Sequence, residues 1–188
     1  MVNSRELSIA LYGAWRLASL DRSGAQFFDN TEDSFWKSFN AAIVAAPAYI
    51  LLVLIGFADR PVAAGEFRII AVESITYVIG WVLFPLVMLS FTETVGCRQF
   101  YLRFIAAWNW AAVLQVFLFL AVTAFAASGA LPGSLGTLVG LATTFAIFFY
   151  QGFIAHVMLD VRPGIAVLVV VIDIVLSLLL NWVSDWFY

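Results

Sequence analysis

The chain has 188 residues, 64% of them hydrophobic and only 11% charged, with a mean hydropathy of +1.01 and a formal net charge of −3. In soluble domains roughly a quarter of residues are charged, so this composition excludes an ordinary soluble globule and specifies an integral membrane protein. The lone Cys97 allows no intrachain disulfide, and one His beside one Cys excludes the usual Cys/His zinc frameworks; no metal or cofactor is expected.

The length suits one compact bundle, and no Pro/Ser-rich or strongly charged linker marks a second unit. Residues 1–188 therefore read as a single membrane domain, with a cytoplasmic or interfacial N-terminal segment over 1–38 and a transmembrane bundle over 39–188. Residues 5–20 predict an amphipathic helix. Leu7, Ala10, Leu11, Ala14, Trp15, Leu17 and Ala18 share one face, and Arg5, Ser8, Tyr12, Arg16 and Ser19 share the other. Such a helix either lies in the interface or packs on the bundle's own face. Arg16 and Asp21 interrupt any continuous apolar core, which argues against a signal peptide. A turn over 21–24 follows, and the acidic run from Asp29 to Asp33 suits a helix N-terminus capped by Asn30 or Thr31.

Five apolar spans come next, over 39–57, 69–91, 104–127, 135–158 and 165–182. Each is long enough to cross a hydrocarbon core of about 30 Å at ~1.5 Å per residue. Continuous runs of this length exclude a β-barrel, so the predicted fold is all-α: a polytopic bundle of five transmembrane helices with an N-terminal amphipathic helix. Pro47 and Pro85 fall inside the first two spans, where each is expected to kink its helix, with an unwound site as the alternative. With the N-terminus inside, the inner segments hold Arg5, Arg16, Arg22, Lys37, Arg98, Arg103 and Arg162, whereas the outer ones hold only Arg60 and Arg68. The C-terminus is then outside. Trp182 and the terminal aromatics are expected in the outer interfacial belt, and Trp36, Trp108 and Trp110 in the inner one. Arg98 and Arg103 are expected to meet anionic headgroups.

Asp173 lies at the middle of the last span, where a charge costs about 2.5–3.5 kcal/mol on insertion scales. Asp173, Ser177, Asn181 and Ser184 recur at helical spacing and predict one polar side turned toward protein. Counting depth from the turn near Val161 sets Asp173 level with Tyr150 and Gln151, and with the stretch of the third span between Asn109 and Gln115. These four are its candidate hydrogen-bond partners. The site is either a satisfied clamp between helices, a proton- or ion-handling group, or a contact to another subunit.

Glu73 is a second candidate, about 12 Å nearer the outer surface. It is expected to snorkel outward or to pair with Arg68 or Arg60, since two carboxylates so separated cannot share a proton. His156 ends a stripe of Gly136, Gly140, Thr144, Phe148 and Gly152, and reads as a capping or interfacial histidine in preference to a catalytic one. The Gly136–Gly140 pair permits close helix approach, with packing inside the chain favoured over dimerisation. Ser134 lies about 33 Å from His156 along the helix, too far for a Ser–His hydrolase. Neither a phosphate loop nor a basic-aromatic stripe for nucleic acid is present.

The amphipathic segment, the Phe35-Trp36-Lys37 entry, the five spans and the short exposed C-terminus together resemble the Yip-type family of five-span membrane proteins in topology and texture. The resemblance implies a bacterial inner-membrane protein; the family's eukaryotic members are associated with trafficking and small GTPases, but this chain lacks their extended cytosolic arm. Two function classes follow. One is a non-enzymatic scaffold, assembly or membrane-organisation factor, in contact with the lipid bilayer and with other membrane proteins or a second copy of itself. The other is a small transporter or channel that uses Asp173.

Overall fold

The structure, a computed structural model, describes residues 3–57, 65–129 and 132–187. Among these residues the chain forms seven α-helices and two short 3-10 helices, with no strand. They are α1 (Ser4–Ala18), α2 (Glu32–Ser38), α3 (Asn40–Phe57), α4 (Glu66–Val95), α5 (Tyr101–Ala127), α6 (Gly133–Leu159) and α7 (Pro163–Asp185), with 3-10 turns over Arg22–Phe27 and Arg98–Phe100. Five spans are long and apolar enough to cross a membrane, as the sequence predicts, with α2 and α3 joining into the first of them.

The middle of the bundle is α5, which packs against α1, α2, α3, α4 and α6, while α7 closes the outside between α4 and α6. Between lipid-immersed helices the hydrophobic effect supplies little drive, so close packing and interhelical hydrogen bonds carry the association. The α3–α5 seam shows how. Ala41, Ala45 and Ala48 recur on one face of α3 and are buried, as are Ala107 and Ala111 on α5, so the two backbones can approach. The Gly136–Gly140 pair on α6 makes no such seam. A methyl group at Gly136 would find ordinary contact with Ala126, and one at Gly140 would meet open space.

Both prolines are accommodated without an unwound segment, because α3 and α4 run through Pro47 and Pro85 as continuous helices. The Pro85 carbonyl also accepts a 3.0 Å hydrogen bond from the Tyr101 hydroxyl, which fastens α4 to the start of α5. Trp108 and Trp110 depart from the expected inner belt, being only 8% and 4% exposed. Trp108 stacks on Phe84 with ring centroids 4.3 Å apart. Periodicity alone does not tell which side of an all-apolar helix faces protein, and here Trp108 packs between helices while Trp110 is covered by α1. Trp36, Trp182 and Trp186 do lie exposed at the ends.

The N-terminal segment folds over one end of the bundle, here termed the α1 end. α1 begins with a capping box in which Glu6 reaches back to the Asn3 N–H over 2.9 Å. Its apolar face packs on α5 and α6, with Ala14 and Leu17 fully buried, so of the two sequence readings the bundle-packed one holds; Trp15 and Ala18, at the edge of that face, stay exposed. Leu20 takes a left-handed conformation (φ 61°) and turns the chain back into the Arg22–Phe27 turn. That return is tight at Gly24. A Cβ there would lie 2.8 Å from the Gly13 carbonyl oxygen and 2.9 Å from the Leu17 nitrogen, so only glycine fits.

Candidate intramembrane polar site

Asp173 on α7 meets Gln151 on α6, whose Nε2 donates to Asp173 Oδ2 over 3.0 Å. The same Nε2 lies 3.4 Å from Gln115 Oε1 on α5. One amide therefore links three helices at one depth, and two of the four depth-matched candidates, Gln151 and Gln115, are the partners. Gln151 is buried, and its Oε1 has no hydrogen-bond partner.

The other two candidates serve other neighbours: Tyr150 adjoins Gln151 in the chain but faces α1, and Asn109 lies six residues, about 9 Å, from Gln115 along α5. The Tyr150 hydroxyl donates to the Ala14 carbonyl over 2.7 Å and so pins α1 to α6. Asn109 donates from Nδ2 to Ser38 Oγ over 2.9 Å, and Ser38 in turn donates to the Phe35 carbonyl over 2.6 Å. Adjacent helix positions point about 100° apart, which is why Tyr150 and Gln151 serve different neighbours.

The polar side predicted for α7 splits. Ser184 is buried and lies 3.2 Å from the Thr76 hydroxyl, but Ser177 and Asn181 are exposed. Each four-residue step advances about 40° beyond a full turn, so Ser177 and Asn181 drift roughly 40° and 80° from Asp173. Ser184, eleven residues on, returns to within about 20°. The protein-facing side of α7 is narrow, carrying Ala166, Val169, Val170 and Ser184, and the drift is enough to leave it.

Glu73 accepts a 2.5 Å hydrogen bond from the Tyr49 hydroxyl, which ties α4 to α3. Arg60, one of its expected partners, lies outside the described residues. Tyr77 makes a second tie between the same helices by donating to the Ala42 carbonyl over 2.5 Å. His156 acts at the α6 C-terminus: Nδ1 lies 2.6 Å from the Val161 carbonyl, and Nε2 lies 3.0 Å from Arg22 Nη2. Only a neutral ring with its proton on Nδ1 satisfies both contacts, because arginine can only donate. Among the described residues no three His, Cys, Asp or Glu side chains gather as a metal site.

Several anchoring residues carry no signal in the sequence. Of the two caps the sequence offers for α2, Thr31 takes the role, its hydroxyl accepting from the Ser34 N–H over 3.2 Å. Asn30 instead accepts from the Arg103 N–H over 3.1 Å and donates to the Gln99 carbonyl over 2.6 Å, capping α5 from across the chain. Arg103 turns inward, where its Nε donates to the Met158 carbonyl over 2.7 Å near the α6 C-terminus. Arg98 pairs with Glu93. Neither arginine is thus held free for headgroups. At the surface, Lys37 bridges Glu6 and Asp33, each at 2.8 Å. The Ser23 side chain, then the Arg16 guanidinium, and then the Ser23 N–H, which donates to Asp21 Oδ1 over 2.9 Å, hold the Asp21 carboxyl down at about 2.

Two recesses are lined by described residues. A polar one of about 220 Å³ lies under α1 beside Glu6, Asp33, Lys37 and Trp110. The other is an apolar groove of about 550 Å³ between α6 and α7. Asp173 lines neither.

Five apolar helices around an interhelical polar cluster define a polytopic helical membrane protein. No family model, curated protein or solved structure matches the chain.

Proposed function

We propose that this is a non-enzymatic scaffold or assembly factor of a membrane, in which the Asp173–Gln151–Gln115 cluster is a structural clamp. The observation that carries the reading is the partner of the deep carboxyl, an amide of the neighbouring helix that donates to it over 3.0 Å. A group that relays ions needs a wet path to a surface, whereas a clamp needs only a partner. The seven basic residues of the expected inner segments belong to the N-terminal segment and to the turns that it touches, through Arg22–His156, Asn30–Gln99 and Arg103–Met158. This supports a cytoplasmic N-terminus in a bacterial inner membrane, with the whole chain acting as a single domain.

The test is crosslinking in native membranes followed by pull-down in mild detergent. A stoichiometric membrane-protein partner, or a second copy of the chain, is the expected recovery; a partner-free monomer overturns the reading. One observation favours transport as a second reading, namely the unpartnered Gln151 Oε1 beside Asp173, an acceptor of the kind that holds a water or an ion. Flux through reconstituted liposomes that Asp173→Asn abolishes would establish it in place of the clamp.

A further inference from the structure

The apolar groove between α6 and α7 has a shape, a length and a charged end that fit one kind of molecule. On α6 it runs from Phe145 to His156, and on α7 from Pro163 to Ile174. Each wall is eleven residue steps long, about 16 Å at 1.5 Å per step, close to the ~15 Å of a single leaflet's hydrocarbon. It therefore extends from the α1 end of the bundle to about mid-membrane and stops there. About 550 Å³ over that length gives a mean cross-section of roughly 34 Å², enough to seat one extended alkyl chain. Gly152 keeps the floor open, since even a methyl group there would touch only Val170, at 3.7 Å. Phe145, Phe149 and Val167 on the walls are 68%, 66% and 60% exposed, so the groove opens sideways to lipid.

Its α1 end is basic. His156 closes the groove and, with Nδ1 held by the Val161 carbonyl, lies 3.0 Å from Arg22 Nη2, which brings that guanidinium to the mouth. Arg162 precedes Pro163 at the start of the other wall. Both arginines are exposed, and among the described residues neither has a carboxylate within ion-pair distance. Asp160 interacts with Arg103, and Asp21 is taken by Arg16.

We infer that the α6–α7 groove binds one acyl chain of an anionic phospholipid from the surrounding bilayer, with the headgroup phosphate received by Arg22 and Arg162. Guanidinium forks match phosphate oxygens, and juxtamembrane basic residues favour anionic lipid. The inference does not depend on whether the protein is a scaffold or a transporter.

Native mass spectrometry of the full chain tests it, with phosphatidylglycerol and phosphatidylcholine of matched chains titrated in separate arms and glycerol phosphate as a chainless control. Wild type is expected to retain phosphatidylglycerol over phosphatidylcholine and to ignore glycerol phosphate. The double variant Arg22→Gln/Arg162→Gln should weaken phosphatidylglycerol retention roughly fivefold for each guanidinium removed and leave phosphatidylcholine unchanged. Val167→Trp/Val171→Trp, at exposed wall positions where the fold makes no demand, should fill the groove and weaken both lipids. Equal retention of the two lipids by wild type overturns the inference, as does glycerol phosphate binding as well as the lipid. Indifference to either double variant does the same, and so does a two-copy mass that the tryptophans abolish.

Discussion

Gln151 Nε2 stands 3.0 Å from Asp173 Oδ2, so the one carboxyl placed deep in α7 is held by an amide of α6 and not by a counter-charge. Because an amide can bond either an acid or its amide isostere, Asp173→Asn should leave the bundle's stability nearly unchanged. Asp173→Ala should lower it by about 0.6–1.7 kcal/mol, the range of interhelical hydrogen bonds in membranes. Unfolding in detergent followed by circular dichroism measures both. A large loss in the asparagine variant would show that the negative charge itself is needed.

Asn109 and Ser38 form a buried pair, 2% and 0% exposed, that joins α5 to the end of α2. Ser38→Ala should cost about 1–3 kcal/mol, since it strands a buried amide donor. Adding Asn109→Leu should recover part of that loss. A double-mutant cycle with no coupling between the two positions would refute the pairing.

Gly24→Ala should loosen the N-terminal segment by about 1–3 kcal/mol, because the new methyl group would press on Gly13 and Leu17 backbone atoms that cannot swing aside. The effect is local. Limited proteolysis should release α1 while α3 to α7 stay protected, and unchanged cleavage kinetics would sink the prediction.

Asp21 gives the same segment a pH dependence. Its carboxyl is held at about 2, below the usual 3.8, so the folded state binds its proton more weakly than the unfolded state. The stabilisation is complete above about pH 4 and disappears as pH falls toward 2. Amide exchange in α1 should accelerate across that window in wild type, and Asp21→Asn should flatten the response while raising exchange at neutral pH. A wild-type profile flat from pH 5 to 2 would count against it.

Tyr150→Phe removes the only described side-chain tie to the Ala14 carbonyl and should free the last turn of α1 at a cost of about 1 kcal/mol. Faster amide exchange confined to that turn is the expected signature.

Depth was readable from the sequence and direction was not. A rise of ~1.5 Å per residue fixes the level of every side chain in a continuous span, which is why Gln151 and Gln115 could be matched to Asp173 before any fold was known. Facing depends on which neighbours a helix acquires, and in spans that are apolar all round no stripe records it. Hence Trp108 and Trp110, which read as belt residues, are covered by protein, and Ser177 and Asn181, which read as protein-facing, are carried out by the 40° drift. Tyr150 shares the level of Gln151 and turns to α1, whereas Asn109 lies about 9 Å from Gln115 along α5 and meets Ser38. The α1 reading left two faces open because its amphipathic pattern suits a lipid surface and a protein surface equally. Asn30 and Arg103 were hidden for a different reason: their partners are carbonyl and N–H groups up to 73 residues away, and backbone groups leave no letter in the sequence.

That remote cap on α5 also sets an order of assembly. Asn30 and Tyr101 are synthesised long before Met158, yet the first turn of α5 is completed by Asn30 and braced on Met158 through Arg103, while α1 is pinned by Tyr150. α1, made before the spans that seat it, thus has no finished seat until the fourth span has been inserted, and a nascent chain stopped after α5 should still expose α1 to protease.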